Sequence, residues 1–196
     1  MVLSVGGFHN CAVLDDDSFV CWGMGQYGQL GLGATSNVGD FSNEMGDDLV
    51  STILSSTQAI VSLSSHQYHS CAILEEGGMP KCWGRNDDGQ LGYGDTENRG
   101  DEANEMSDDL PFLNVNTSTF SFSWMVADIQ YDSTFIVSTE GKLRGFGNND
   151  EGQLGYGDTD NRGDEANEMS DYLRDIWLGT GRTVQQVCGG LGHTVL

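Results

Sequence analysis

CWGMGQYGQLG at residues 21–31, CWGRNDDGQLG at 82–92 and GFGNNDEGQLG at 145–155 are three copies of one passage. The tetrad GQLG falls at 28–31, 89–92 and 152–155, so the copies stand 61 and 63 residues apart. Upstream of each lies a second element: His9-Asn10-Cys11-Ala12, His69-Ser70-Cys71-Ala72 and a degraded Asp132-Ser133-Thr134-Phe135. A further Gly192-His193-Thr194-Val195 precedes Leu196. Several elements recurring in one order at a period of about 60 residues are the signature of a repeat array. Three units run over approximately 1–59, 60–123 and 124–186, and a fourth starts at 187–196.

Within a unit, β-branched and aromatic runs alternate with clusters of Gly, Asp, Asn and Ser. Residues 60–63, 70–74 and 81–83 read as strands, with 75–80 as a turn. The equivalent hairpin of the first unit joins 11–14 to 19–22 through Asp15-Asp16-Asp17-Ser18. No segment sustains a helical apolar period; residues 101–110 allow one or two turns at most. Several short strands per unit suggest one propeller blade per unit, an all-β chain.

The 196 residues carry 30 acidic and 8 basic side chains, a net charge of -22 and a pI near 4.1. Such a charge repels nucleic acid and anionic lipid. No apolar run approaches the roughly 18 residues of a membrane span, so no membrane insertion is expected. Eighteen aromatic residues spread along the chain supply a core despite the acidity.

The ordered motifs resemble the regulator of chromosome condensation repeat family, whose pattern is G-x-x-H-T-x-A-L, an acidic or glycine turn, then W-G-x-N-x-x-G-Q-L-G. The resemblance covers nearly the whole chain. It implies a β-propeller of four-stranded blades, seven in the family's usual form. Three blades would then be an incomplete ring, a fragment of a longer protein or a short chain whose open blade edges associate. The family's founding activity, guanine-nucleotide exchange on a small GTPase, uses an inserted wedge in a nuclear protein. The three units contain no wedge-like insertion. Some plant members sense ultraviolet light through a G-W-R-H-T motif; GGFHN, HQYHS, QYDST and GLGHT stand here instead.

The five cysteines are Cys11, Cys21, Cys71, Cys82 and Cys188. In each of the first two hairpins the midpoint of the pair falls inside the turn, at Asp16 or between Glu76 and Gly77. Cys11 with Cys21, and Cys71 with Cys82, are therefore near directly cross-strand, within disulfide range. The third unit loses both members together, as Thr134 and Gly145. Disulfides imply an oxidising compartment, secreted or lumenal. Cys188 aligns with Ser4, Ser64 and Ala127 and reads as a small buried residue. Met1 runs straight into a strand with no signal-peptide leader, and Asn116-Thr117-Ser118 is a single glycosylation triplet.

After each GQLG comes a polar loop. Residues 92–110 and 155–173 differ at two of 19 positions, whereas the neighbouring hairpins differ far more. The first unit keeps Gly39-Asp40, Asn43-Glu44-Met45 and Asp47. Three roles compete. Asp and Asn side chains bond neighbouring amides, with Arg99 and Arg162 as internal counter-ions. Alternatively the oxygens hold calcium, the candidates being Asp95, Glu97, Asp101, Glu105, Asp158, Asp160, Asp164 and Glu168. The stretch from Asp158 starts like an EF-hand loop but fails at Arg162 and Met169. Thirdly, the acidic rim docks a basic partner protein.

Residues 23–28 match G-x-G-x-x-G, but no helix follows to present amides to a pyrophosphate. His9, His69 and His193 share one repeat position, too far apart between blades for one zinc, and read as strand-end hydrogen-bonding groups; His66 lies outside the pattern. Trp22, Trp83 and Phe146 read as blade-packing residues. No nucleophile has a motif-level base partner. The expectation is a non-catalytic interaction scaffold with no cofactor, alongside two alternatives: nucleotide exchange and a secreted calcium-stabilised propeller.

Overall fold

The computed structural model describes residues 2–16, 18–75, 79–115, 122–127, 132–190 and 193–195. The first unit is an antiparallel meander of β1 (Val2–Val5), β2 (His9–Val13), β3 (Phe19–Gly23) and β4 (Ser51–Thr52), in that order. The second contains β5 (Ile60–Ser65), β6 (His69–Leu74) and β7 (Pro80–Gly84); the third, β8 (Phe122–Ala127), β9 (Ser133–Ser138) and β10 (Leu143–Gly147). β11 (Cys188–Gly190) and β12 (His193–Val195) pair as the beginning of a fourth sheet. The first strands lie side by side, β1 by β5, β5 by β8 and β8 by β11. The sheets are thus arrayed around those strands like propeller blades, as the sequence predicts.

Among the described residues a fourth strand pairs only in the first blade, through Phe19↔Thr52 and Val20↔Ser51. In the second and third blades the returning chain makes one backbone bond at that edge, Leu113 N–H to the Pro80 carbonyl (2.8 Å) and Ile176 N–H to the Leu143 carbonyl (2.8 Å). A tyrosine supplies the rest. The Tyr93 hydroxyl accepts the Cys82 N–H (3.0 Å) and reaches the Cys82 and Pro111 carbonyls (2.9 and 3.1 Å). Tyr156 does the same with Gly145 and Arg174. Leu32 stands at this position in the first unit, with no hydroxyl to offer, and there the ladder itself closes. Burial raises the pKa of both phenols, Tyr156 to about 12, so they remain neutral donors.

Apolar side chains fill the spaces between blades. Val13, Phe19, Leu30, Leu54, Leu74, Trp83 and Leu110 join the first to the second; Ile73, Leu91, Leu113, Ile136, Phe146 and Met169 join the second to the third. Trp83 and Phe146 are fully buried, whereas Trp22 is only half-buried. Trp83 donates its indole N–H to the Gln29 carbonyl of the preceding blade (3.0 Å).

Two disulfides, Cys11–Cys21 and Cys71–Cys82, cross directly paired positions of the first two hairpins, each with Cα atoms 4.1 Å apart. In the third blade the Phe135 ring fills the space: a Cβ on Gly145 would meet Phe135 Cε1 at 2.7 Å. Ser4, Ser64 and Ala127 all lie opposite the first residue of these pairs, at Cys11, Cys71 and Thr134. The side chain of Cys188, the 116–118 triplet and the turn at Glu76-Gly77 lie outside the described residues. Residues 101–110 form turns and no helix; the equivalent Gly46–Asp48 closes a single 3₁₀ turn. Among the described residues no helix is long and apolar enough to cross a membrane.

Candidate functional site

In an antiparallel meander the first and third connections emerge at the same end. The turns between first and second strands (Gly6–Phe8, His66–Tyr68) therefore share one face with the long acidic loops. They are bonded together, Met24 N–H to the Phe8 carbonyl (2.9 Å) and Arg85 N–H to the Tyr68 carbonyl (2.9 Å).

The acidic loops are organised by their own side chains. Glu105 accepts the Gly100 and Glu102 amides on one oxygen (2.9 and 3.0 Å), Glu168 those of Gly163 and Glu165 (2.9 and 3.2 Å), and Glu44 those of Gly39 and Phe41 (2.8 and 3.1 Å). Asp95 pairs with Arg99 at 2.8 Å and Asp158 with Arg162 at 2.9 Å, each arginine lying over the ring of Tyr93 or Tyr156. The expected counter-ions are thus in place. The loops also join blades: Gly33 N–H bonds the Gly100 carbonyl (3.0 Å) and Gly94 N–H the Gly163 carbonyl (2.9 Å). The loop of each of these units is held by the glycine turn of the unit before it, which accounts for its uniform sequence beside divergent hairpins.

Of the eight calcium candidates, Asp95, Glu105, Asp158 and Glu168 spend oxygens on amides or guanidinium groups. Glu97 and Asp160 are exposed. Burial and a hydrogen bond that the Asp101 carboxyl donates to Glu105 raise the Asp101 pKa, and burial with the Asp164 contact does the same for Glu168. Among the described residues no group of three or more His, Cys, Asp or Glu is placed to hold a metal.

The histidines tie neighbouring blades. His9 Nε2 and Ser70 Oγ are hydrogen-bonded at 2.6 Å, His69 Nε2 and Thr134 Oγ1 at 3.0 Å, and the His66 ring lies 5.3 Å from that of His69. Burial lowers the His9 pKa to about 4 and that of His69 well below its ordinary value, so both are neutral near pH 7. The His193 side chain lies outside the described residues.

Above them sits a cluster that repeat arithmetic overlooked. Phe8, half exposed, stacks on Tyr68 at 5.4 Å, and Tyr27 meets Tyr68 edge-on at 5.2 Å. The Arg85 guanidinium lies over Tyr27 and Tyr68 at 5.7 and 5.8 Å and pairs with Asp87 (2.8 Å) and with Asp132. Burial pushes the Asp132 carboxyl up, while Arg85 opposes the shift. Phe8 and Tyr68 each precede the repeat histidine, and that shared position was the available signal.

Residues 3–29 match the regulator of chromosome condensation (RCC1) repeat. Across 99% of its length the chain is 28% identical to the ultraviolet-B receptor UVR8 of Arabidopsis thaliana. The chain thus resembles RCC1-repeat proteins. It is also 28% identical, over 98% of its length, to the probable E3 ubiquitin-protein ligase HERC4 of Mus musculus. It spans 38% of UVR8 and 16% of HERC4. Two solved structures superpose on it. Human WBSCR16 does so with a TM-score of 0.65 and 19% identity, over 97% of this chain and 42% of that one. Prp20p of Saccharomyces cerevisiae, described with its binding to Gsp1p and histones, gives 0.64 and 21% over 96% and 41%. They share the blade arrangement, and the repeats here accordingly form an incomplete propeller.

Proposed function

We propose that this chain is a non-catalytic protein-docking module whose partner presents a basic surface to the face around Tyr68. The carrying observation is the Phe8–Tyr68–Tyr27–Arg85 cluster, bordered by Asp87. Tyrosine and arginine on a rigid scaffold are the residue types that dominate binding energy, and an interface of roughly 800 Å² per partner would extend across more than one blade. Lysine and arginine of a partner stack on the aromatic faces and meet the acidic rim of a chain whose net charge is -22. The two disulfides support folding in an oxidising compartment, secreted or lumenal, which favours docking over nuclear nucleotide exchange.

Core histones serve as the basic probe, titrated at two ionic strengths against wild type, Tyr68→Ala and Phe8→Ala, with thermal melts confirming that the variants fold. The expected result is at least about a tenfold weakening in each variant, about 1.4 kcal/mol, beyond the general salt effect. Equal binding by all three would leave only bulk charge and refute the assignment of this face. Accelerated nucleotide release from a purified small GTPase would replace docking with exchange.

A further inference from the structure

The near-identical loops 92–110 and 155–173 differ at two positions, and only one of the differences alters charge. Glu97 against Asp160 keeps it; Asp109 against Tyr172 does not. The first unit has Asp48 at the same place, within Asn43-Glu44-Met45-Gly46-Asp47-Asp48-Leu49. The backbone is indifferent to the exchange. Asn104 and Asn167 hold φ values of 69° and 73°, and Ser107 and Ser170 hold 61° and 60°. The amides of Asp109 and Tyr172 donate to the Met106 and Met169 carbonyls at 3.3 and 3.2 Å. A phenol therefore stands where both other units carry an exposed carboxylate.

Tyr172 is 68% exposed. The exposure belongs to the position, because Asp109, with a blade on either side of its unit, is exposed as well. The other described tyrosines are engaged. Tyr93 and Tyr156 spend their hydroxyls on strand edges, and Tyr27 and Tyr68 are half-buried in the cluster with Arg85. Ahead of Tyr172 stand Asp164, Glu165, Glu168 and Asp171, four acids in eight residues. Arg174, two residues on, is drawn away towards Asp158 (3.9 Å) and the Tyr156 ring (5.8 Å).

We propose that Tyr172 is a site of sulfate ester formation. A sulfotransferase supplies activated sulfate, the mixed anhydride of sulfate with a nucleotide phosphate. The phenol oxygen attacks the sulfur and forms the new O–S bond. The bond from sulfur to the bridging anhydride oxygen breaks, and the nucleotide phosphate leaves with that electron pair. The phenolic proton passes to a base of the transferase, and nothing is oxidised or reduced. An aryl sulfate carries a single negative charge, the charge of Asp48 and Asp109, whereas a phosphate would bring about −1.5 to −2. Sulfation thus restores at Tyr172 the anion that the other two units encode directly. The acidic approach to Tyr172 is complementary to a transferase with a basic substrate groove. The inference rests on the oxidising, lumenal compartment proposed above, where protein tyrosine is sulfated.

The full, disulfide-bonded chain is incubated with a tyrosylprotein sulfotransferase and radiolabelled activated sulfate, and the label is located by peptide mapping. Wild type should take label on Tyr172, and Tyr172→Phe should lose it. Asp109→Tyr should gain a second labelled position, because the two loops share backbone and acidic approach. Both substitutions are at exposed positions, and near-ultraviolet circular dichroism checks that the variants fold. An unlabelled wild type, label retained by Tyr172→Phe, or no gain in Asp109→Tyr overturns the proposal. Alkylation of the denatured, unreduced chain isolated from its source reads the compartment separately. Five alkylated cysteines would remove the oxidising compartment and overturn the proposal on that ground, whatever the label shows.

Discussion

Replacing Cys71 and Cys82 together by alanine removes the cross-link from the second hairpin while leaving small apolar groups at two fully buried sites. The bond spans 11 residues, and loop-closure entropy for that length corresponds to about 3 kcal/mol. Unfolding entropy of about 2.1 cal/mol/K per residue over 196 residues converts this to a drop in Tm of about 7 °C if the chain melts as one unit. Blades contact only their neighbours, so hydrogen exchange read blade by blade is the sharper assay. Protection should fall in β6 and β7 and hold in β9 and β10, where Phe135 fills the space of the missing bond. Alkylation of the denatured, unreduced wild type should label one of the five cysteines. Five labelled cysteines, or an unchanged Tm with unchanged exchange in the second blade, would refute the reasoning.

Acid should loosen the blade junctions through His9. Its folded pKa of about 4 lies below the unfolded value near 6.5, so the unfolded chain binds the extra proton. The stability is complete above about pH 6.5 and is lost as pH falls towards 4, by roughly 2 kcal/mol at pH 5. Urea midpoints of wild type and His9→Gln at pH 7 and 5 check this, and a drop of equal size in the variant would count against His9. Gly89→Ala should cost at least about 3 kcal/mol, because its Cβ would lie 2.3 Å from Asp164 N at φ 77°. Gly152→Ala, without that clash, should cost about 1–2 kcal/mol in denaturant titrations; equal losses would contradict the packing described. Melts in excess calcium and in chelator should coincide, since Asp95 and Asp158 hold arginines and Glu105 and Glu168 hold amides. A saturated site would instead add roughly 2.7 kcal/mol at 100 times its dissociation constant.

Local geometry was the legible part. The hairpins and their disulfides follow from cysteines equidistant from a turn, a relation confined to about a dozen residues. Asp95 with Arg99 was legible for the same reason, being four residues apart. What stayed hidden crosses the repeat. Nothing near Gly89 announces Asp164 as its neighbour, and near-identity of the two loops is equally compatible with solvation, calcium or docking until their position is known. The fourth strand is explicit in the first blade, while in the second and third Tyr93 and Tyr156 fasten the returning chain at the same edge by a hydroxyl, which no pattern in the sequence announces. The aromatic face escaped notice because its position holds Phe8 in one unit and Tyr68 in the next, a chemical likeness that identity matching passes over.

The uniform junction gives the architecture a manufacturing property. Because every loop presents the same backbone outline that every glycine turn accepts, a whole unit of about 63 residues can be spliced in or cut out between existing ones without redesigning either neighbour. Tandem duplication therefore meets no steric barrier, and blade number becomes a variable that genetic exchange adjusts while individual hairpins drift. A library in which the second unit is repeated once or twice should consequently yield longer folded arrays, with each added module joining through contacts already present.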